Sequence, residues 1–135
     1  MAISILLVEK NEHLRKILAS LLDDHPGIRI AATAHNAEET ERLLKGVNPN
    51  VAIVDVHLED FDVVTAFRRM SKKYNATRLL ASSNNASRSF VEKILRAGAC
   101  GYLLKDCALE ELPKAVKAVQ QNATYVSPRI MAWAE

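Results

Sequence analysis

The run Val51-Ala-Ile-Val-Asp55 constrains the fold more than any other stretch of this chain. Apolar residues lead straight into one carboxylate, just after a Pro49-Asn50 turn signal. The run is too short for an ordinary helix, and it lacks the alternation of a strand with one face in water. It reads as a strand covered on both faces, the environment of a parallel sheet packed between helices. Asp55 then lies at the carboxyl end of that strand, where open α/β sheets gather their ligands.

Further strand-like runs lie at residues 3–8, 28–32, 77–81 and 100–104. Helical patterns separate them. Asn11 can cap a helix in which Leu14, Ile17, Leu18, Leu21 and Leu22 make one buried stripe, and Pro26-Gly27 stops it. Asn36 caps a Glu-rich helix over residues 37–45, ended by Gly46. An acidic loop, Glu59-Asp60-Phe61-Asp62, leads into a helix over residues 63–73 with Val63, Val64, Phe67 and Met70 inward. Phe90, Val91, Ile94 and Leu95 mark a helix that closes at Gly98. The last helix turns Leu109, Leu112, Val116 and Val119 inward, with Pro113 near its first turn, where a missing amide is tolerable. Strands alternating with crossover helices five times predict an α/β fold, a doubly wound five-stranded parallel sheet covered on both faces.

A chain of 135 residues is one domain of ordinary size, and its 49% hydrophobic and 25% charged residues are globular averages. A net charge of +2 is too small to argue for a nucleic-acid or membrane partner. There is no signal peptide, and no apolar run approaches the roughly 18 residues that span a bilayer. Cys100 and Cys107 make no disulfide framework and lack the neighbours of a zinc site, so they read as packing or loop residues in a reducing cytoplasm. Residues 123–135 read as a linker or tail carrying at most a half-helix.

In such a sheet the carboxyl ends of the first, third, fourth and fifth strands bring Glu9, Lys10, Asp55, Ser83 and Lys105 to one crevice. A carboxylate, a hydroxyl and a lysine are the parts needed to form and hold an aspartyl phosphate. With these residues the chain resembles the CheY-like receiver domain of bacterial two-component response regulators. The resemblance is carried by Ile5-Leu-Leu-Val8, by Pro49-Asn-Val-Ala-Ile-Val-Asp55, and by Ala97-Gly-Ala-Cys-Gly-Tyr-Leu-Leu-Lys-Asp106. Ser83 stands 28 positions after Asp55 and 22 before Lys105, a spacing that matches the family. It covers residues 1–122 and looks most like the LuxR/FixJ-type subclass, whose members carry a helix-turn-helix output domain.

The resemblance implies strand order 2-1-3-4-5 and Asp55 as phosphoacceptor. It also implies Ser83 and Lys105 as phosphate-binding groups, Ser83 and Tyr102 as switch residues, and an acidic pocket at Glu9 and Lys10. Magnesium would be held by Glu9, Asp55 and the backbone carbonyl of His57. A histidine kinase or phosphotransfer protein and a second receiver are the implied partners. DNA would be reached only through an output domain absent from this chain, which is either a receiver cut from a longer protein or a stand-alone one.

Three residues depart from that pattern. The family's two adjacent carboxylates are here Glu9 and Lys10. Its three carboxylates and one lysine carry a net negative charge that a divalent ion neutralises, whereas Glu9, Asp55, Lys10 and Lys105 sum to zero. Magnesium also prefers oxygen ligands and loses one. Weak or absent metal binding is therefore expected, with Lys10 paired to Asp55 in the cation's place. Glu59 and Val63 replace a common Pro and Gly, so the loop after Asp55 is expected to take another path, with its helix beginning earlier.

Blander readings stand beside these. Asp55 could be a strand-end carboxylate that caps a turn, and Lys105 a solvated lysine. Ser82 adjoins Ser83, so a one-residue slip exchanges them. Tyr102 is as readily a packing residue as a switch. The His57 ring reads as an exposed group, and His13, His25 and His35 as surface residues. Glu59, Asp60 and Asp62 read as a solvated acidic loop. Two functions survive: a phosphoaccepting signal receiver, and a phosphorylation-independent pseudo-receiver in which Lys10 replaces the metal and the fold serves as an interaction or dimerisation module. A flavodoxin-like enzyme fails for want of a glycine-rich phosphate loop.

Overall fold

The computed structural model describes residues 2–133. Six strands and six helices follow one another: β1 (Ile3–Val8), α1 (Glu12–Asp23), β2 (Ile28–Ala34), α2 (Ala37–Val47), β3 (Val51–Asp55), α3 (Val63–Lys73), β4 (Arg78–Ser83), α4 (Arg88–Arg96), β5 (Gly101–Leu104), α5 (Ala108–Gln120), β6 (Tyr125–Val126) and α6 (Pro128–Trp133). The sheet is parallel throughout, in the order β2-β1-β3-β4-β5-β6. The doubly wound order expected from the sequence is present, extended by one strand.

The central strand behaves as its composition demands. All of β3 is buried, and its side chains alternate between two cores. Ala52 and Val54 join Leu44, Phe67, Met70, Val91 and Ile94, from the face covered by α2, α3 and α4. Val51 and Ile53 join Leu18, Leu22, Leu112 and Val116, from the face covered by α1 and α5. Hydrophobic burial on both sides thus fixes the register that brings Asp55 opposite Ser82 of β4.

Local signals account for most boundaries. The Asn11 side chain accepts from the Leu14 N–H and that of Asn36 from the Glu39 N–H, so both caps form. Several expectations need correction. α2 runs through Gly46 and is capped at Asn48, whose φ of 51° supplies the left-handed turn. Ile17 and Leu109 are 40% and 57% exposed, because each falls at the margin of a stripe centred on its more buried neighbours. α3 begins at Val63 and no earlier. Pro113 is the sixth residue of α5, past its first turn, and the amide it lacks would have bonded the carbonyl of exposed Leu109.

The C-terminal segment is the largest surprise. Tyr125–Val126, read as linker, adds a sixth strand paired with Gly101 and Tyr102 of β5. Gly101 permits this, since a Cβ there would stand 2.7 Å from the Tyr125 carbonyl oxygen. Ser127 then locks the segment. Its N–H donates to the Tyr102 carbonyl at 3.0 Å, and its Oγ accepts from the Leu104 N–H at 2.9 Å. The same hydroxyl donates to Glu111 Oε1 at 2.8 Å, as does the Tyr125 hydroxyl at 2.9 Å. A two-residue strand has no periodicity to read, which is why side-chain hydrogen bonds, and not pattern, reveal it. Residues 134 and 135 of the expected tail lie outside the described residues.

Ser127→Ala strips a buried backbone N–H of its acceptor, so it should cost about 1–3 kcal/mol in urea unfolding and speed hydrogen exchange at the Leu104 amide. Gly98 has φ of +123°, and a Cβ there would collide with the Ser71 side chain. Gly98→Ala should accordingly destabilise the fold by about 1–3 kcal/mol in the same measurement.

Candidate functional site

Glu9 follows β1, Asp55 ends β3, Ser83 ends β4 and Lys105 follows β5, so parallel strands in register deliver all four to one edge of the sheet. Glu9 and Asp55 are only 2% and 0% exposed. Two carboxylates can remain ionised at that depth only if a cation and donors satisfy them. Lys105 is that cation. Its Nζ lies 3.0 Å from Glu9 Oε1, 3.3 Å from Glu9 Oε2 and 3.0 Å from Asp55 Oδ2.

Backbone donors complete the shell. Asp55 Oδ1 accepts from the His57 N–H at 3.0 Å and Oδ2 from the Lys10 N–H at 3.3 Å. Glu9 Oε2 accepts from the Asn11 N–H at 3.0 Å. Burial opposes ionisation of Asp55, but the His57 amide, the Lys105 ammonium and the Lys10 amide outweigh it and hold the carboxyl below its ordinary range.

Lys10 does not do what its position in the sequence suggested. Its ammonium makes no ion pair with Asp55, because Lys105 already fills that role from inside the crevice. The Lys10 side chain passes along the exposed rim and its Nζ donates to the His57 carbonyl oxygen at 3.0 Å. It borders an open cleft of about 400 Å³, lined also by His35, Asn36, Glu59 and Asp60.

The His57 ring is not a bland exposed group. Its Nε2 lies 2.8 Å from Ser83 Oγ, which also accepts from the Asn85 N–H at 2.9 Å. The ring lies parallel to Phe90, at an interplanar angle of 8°, with centroids 6.3 Å apart. Phe90 in turn meets Tyr102 edge-on at 6.3 Å. Tyr102 is fully buried, its hydroxyl donates to the Asn85 carbonyl, and burial raises its pKa. Ser83, not Ser82, is thus the serine whose hydroxyl meets the His57 ring. Only the fold joins His57 to Phe90 and Tyr102; no spacing in the sequence signals it.

The remaining candidates stay outside this constellation. Asp60 accepts from the Ala37 N–H at 3.2 Å and Asp62 from the Thr65 hydroxyl at 3.0 Å. His35 pairs with Glu39 at 2.8 Å. Cys100 and Cys107 are free thiols, and burial pushes that of Cys107 up. Among the described residues, no helix is long and apolar enough to cross a membrane.

The ion triad sets a pH dependence. The folded state lowers the Asp55 pKa, so this stabilisation is full above the unfolded value near 3.9 and is lost as pH falls through the lower folded value. Lys105→Met reverses the sign, because burial without the ammonium makes Asp55 easier to keep protonated. The variant should lose about 3–5 kcal/mol at neutral pH and recover part of it in mild acid, read by urea unfolding at both.

Comparison with known proteins agrees with this geometry. Residues 5–117 match the response regulator receiver domain family. The transcriptional regulatory protein DegU of Brevibacillus brevis is 28% identical over 95% of this chain and 54% of its own length. The response regulator GacA of Pseudomonas syringae pv. syringae is 27% identical over 95% of this chain and 60% of its own. This chain therefore spans little more than half the length of such relatives. A LuxR-family two-component response regulator from Aurantimonas sp. SI85-9A1 superposes with a TM-score of 0.91 at 27% identity, over 98% of this chain and 94% of that one. The NarL receiver domain of Mycobacterium tuberculosis, with a TM-score of 0.83 at 22% identity over 89% of this chain and 97% of that one, shares the fold. Buried carboxylates joined by one lysine at the carboxyl edge of a 2-1-3-4-5 sheet, and a family match over most of the sequence, have one meaning: the chain belongs to the receiver domains of two-component response regulators.

Proposed function

We propose that this receiver takes a phosphoryl group on Asp55 from a histidine kinase or phosphotransfer protein. The family is one of signal reception and regulation, not of classical enzymes. The observation that carries the assignment is the Asp55 carboxylate itself. It is fully buried at a strand end, with the Lys105 ammonium at 3.0 Å. An Asp55 oxygen attacks the phosphorus while Lys105 and the Ser83 hydroxyl receive the transferred oxygens. Tyr102, packed through Phe90 against the His57 ring that holds Ser83, is the switch residue of this reading. Withdrawal of Ser83 toward the phosphoryl group frees His57 and unlocks the aromatic stack.

Receiver domains bind magnesium at this pocket, but the donors present here suit it poorly. The oxygens of Asp55 and Glu9 are engaged by N–H groups and Lys105, and an ammonium already sits on the His57 carbonyl. A divalent ion would have to displace Lys10 and accept one carboxylate fewer. Residues 1–122 form the receiver proper, with regulated dimerisation and transcription the output in a cytoplasmic setting. A second reading, the pseudo-receiver that carries no phosphate, draws on the same saturation of Asp55, with Lys10 holding one fixed state.

Peptide mapping after treatment with acetyl phosphate tests the assignment. The expected result is one phosphoryl group on the peptide containing residue 55, labile as an acyl phosphate is, and absent from Asp55→Asn. A phosphoryl group elsewhere, or none under any condition, would favour the second reading.

A further inference from the structure

We infer that the Lys10 ammonium is the resident cation of this pocket, standing in for a divalent metal, so that Asp55 gains and keeps a phosphoryl group with no metal ion. The inference rests on Asp55 being the phosphoacceptor and concerns only how the transferred charge is held.

Position comes first. The Lys10 N–H is tied to Asp55 Oδ2 at 3.3 Å, which anchors the residue beside the acceptor. Its Nζ reaches the carbonyl of His57, two residues past Asp55, at 3.0 Å. Lys10 is thus fixed at its backbone and joined to the loop that any cation in this pocket must meet.

Charge comes second. In the unmodified site Glu9 and Asp55 balance Lys10 and Lys105, and the sum is zero. Transfer exchanges the single charge of Asp55 for about −2 on its phosphoryl group, which leaves the pocket near −1. The His57 and Lys10 amides and the Ser83 hydroxyl can hold that remainder by charge-assisted hydrogen bonds. A divalent ion added to the resting site would instead leave those four groups with a surplus of two positive charges.

Mobility comes third. Lys105 is nine-tenths buried and locked between two carboxylates, whereas Lys10 is exposed beside the cleft of about 400 Å³. A four-carbon stem bearing three donors can move from the His57 carbonyl to a phosphoryl oxygen without disturbing the fold. Among the described residues its ammonium pairs with no carboxylate, so no ion pair holds it back. In the reaction, one Asp55 oxygen attacks the phosphorus of an acyl phosphate or phosphohistidine. The bond from phosphorus to the donor's oxygen or nitrogen breaks, and its electron pair leaves with the donor. The phosphoryl oxygens pass to Lys10 and Lys105.

The test is an intact-mass time course of the 135-residue chain with acetyl phosphate, in excess EDTA and in magnesium. It compares wild type with Lys10→Met, Lys10→Asp and Asp55→Asn, after circular dichroism shows each to be folded. Wild type should label equally fast in both buffers. Lys10→Met should slow in EDTA by on the order of a hundredfold, as for loss of one preorganised oxyanion donor. Lys10→Asp should label only with magnesium. Labelling of wild type that needs magnesium, or Lys10→Met matching wild type in EDTA, overturns the inference. Wild type unlabelled in both buffers while Lys10→Asp labels with magnesium also overturns it, making Lys10 a silencer but leaving Asp55 the acceptor. Labelling of no variant in either buffer removes the phosphoacceptor reading and the inference together.

Discussion

One ammonium holds the functional edge of this molecule together. Lys105 lies within 3.3 Å of three carboxylate oxygens from Glu9 and Asp55, both almost wholly excluded from water. Charges at that depth are tolerable only as a fully bonded set, so the ends of β1, β3 and β5 must meet in one register. That requirement explains the two amides, of His57 and Lys10, that Asp55 takes beside its ammonium partner. Together with two backbone amides, the triad also holds the Asp55 carboxyl below its ordinary range.

From this edge a continuous set of contacts runs into the fold. Ser83 touches the His57 ring, which lies against Phe90, which packs on Tyr102. The backbone of Tyr102 then accepts from Ser127, and Ser127 bonds Glu111 on α5. The site and the C-terminal segment therefore share strand β5. A change in how Ser83 bonds its loop is mechanically adjacent to the point where β6 leaves the sheet. In proteins such as DegU and GacA, the chain is longer than the span matched here.

The departure at Lys10 is informative because it changes the sign of a charge without disturbing the fold. With its ammonium on the His57 carbonyl oxygen at the rim, Lys10 leaves the Lys105 triad intact.

Much of this was legible in the sequence. The doubly wound sheet followed from apolar runs without alternation, since a strand buried on both faces has no reason to alternate. The grouping of Glu9, Asp55, Ser83 and Lys105 followed from topology, because parallel strands place all their carboxyl ends on one edge. Residue identity also set the capping of α1 and α2, which is a local hydrogen bond. Other features were decided by contacts between residues remote in the chain. Which lysine neutralises Asp55 depends on burial: Lys105 enters from β5, and Lys10, one residue past Glu9, is left on the rim. The pairing of His57 with Ser83 joins a loop to the end of β4, two segments that have no common pattern. The sixth strand depends on a missing side chain at Gly101 and on Ser127 finding Leu104 and Glu111. Periodicity and local hydrogen bonding are properties of neighbours in sequence, and they determined the elements. The partner of each buried polar group is a property of neighbours in space, and only the tertiary structure decided it.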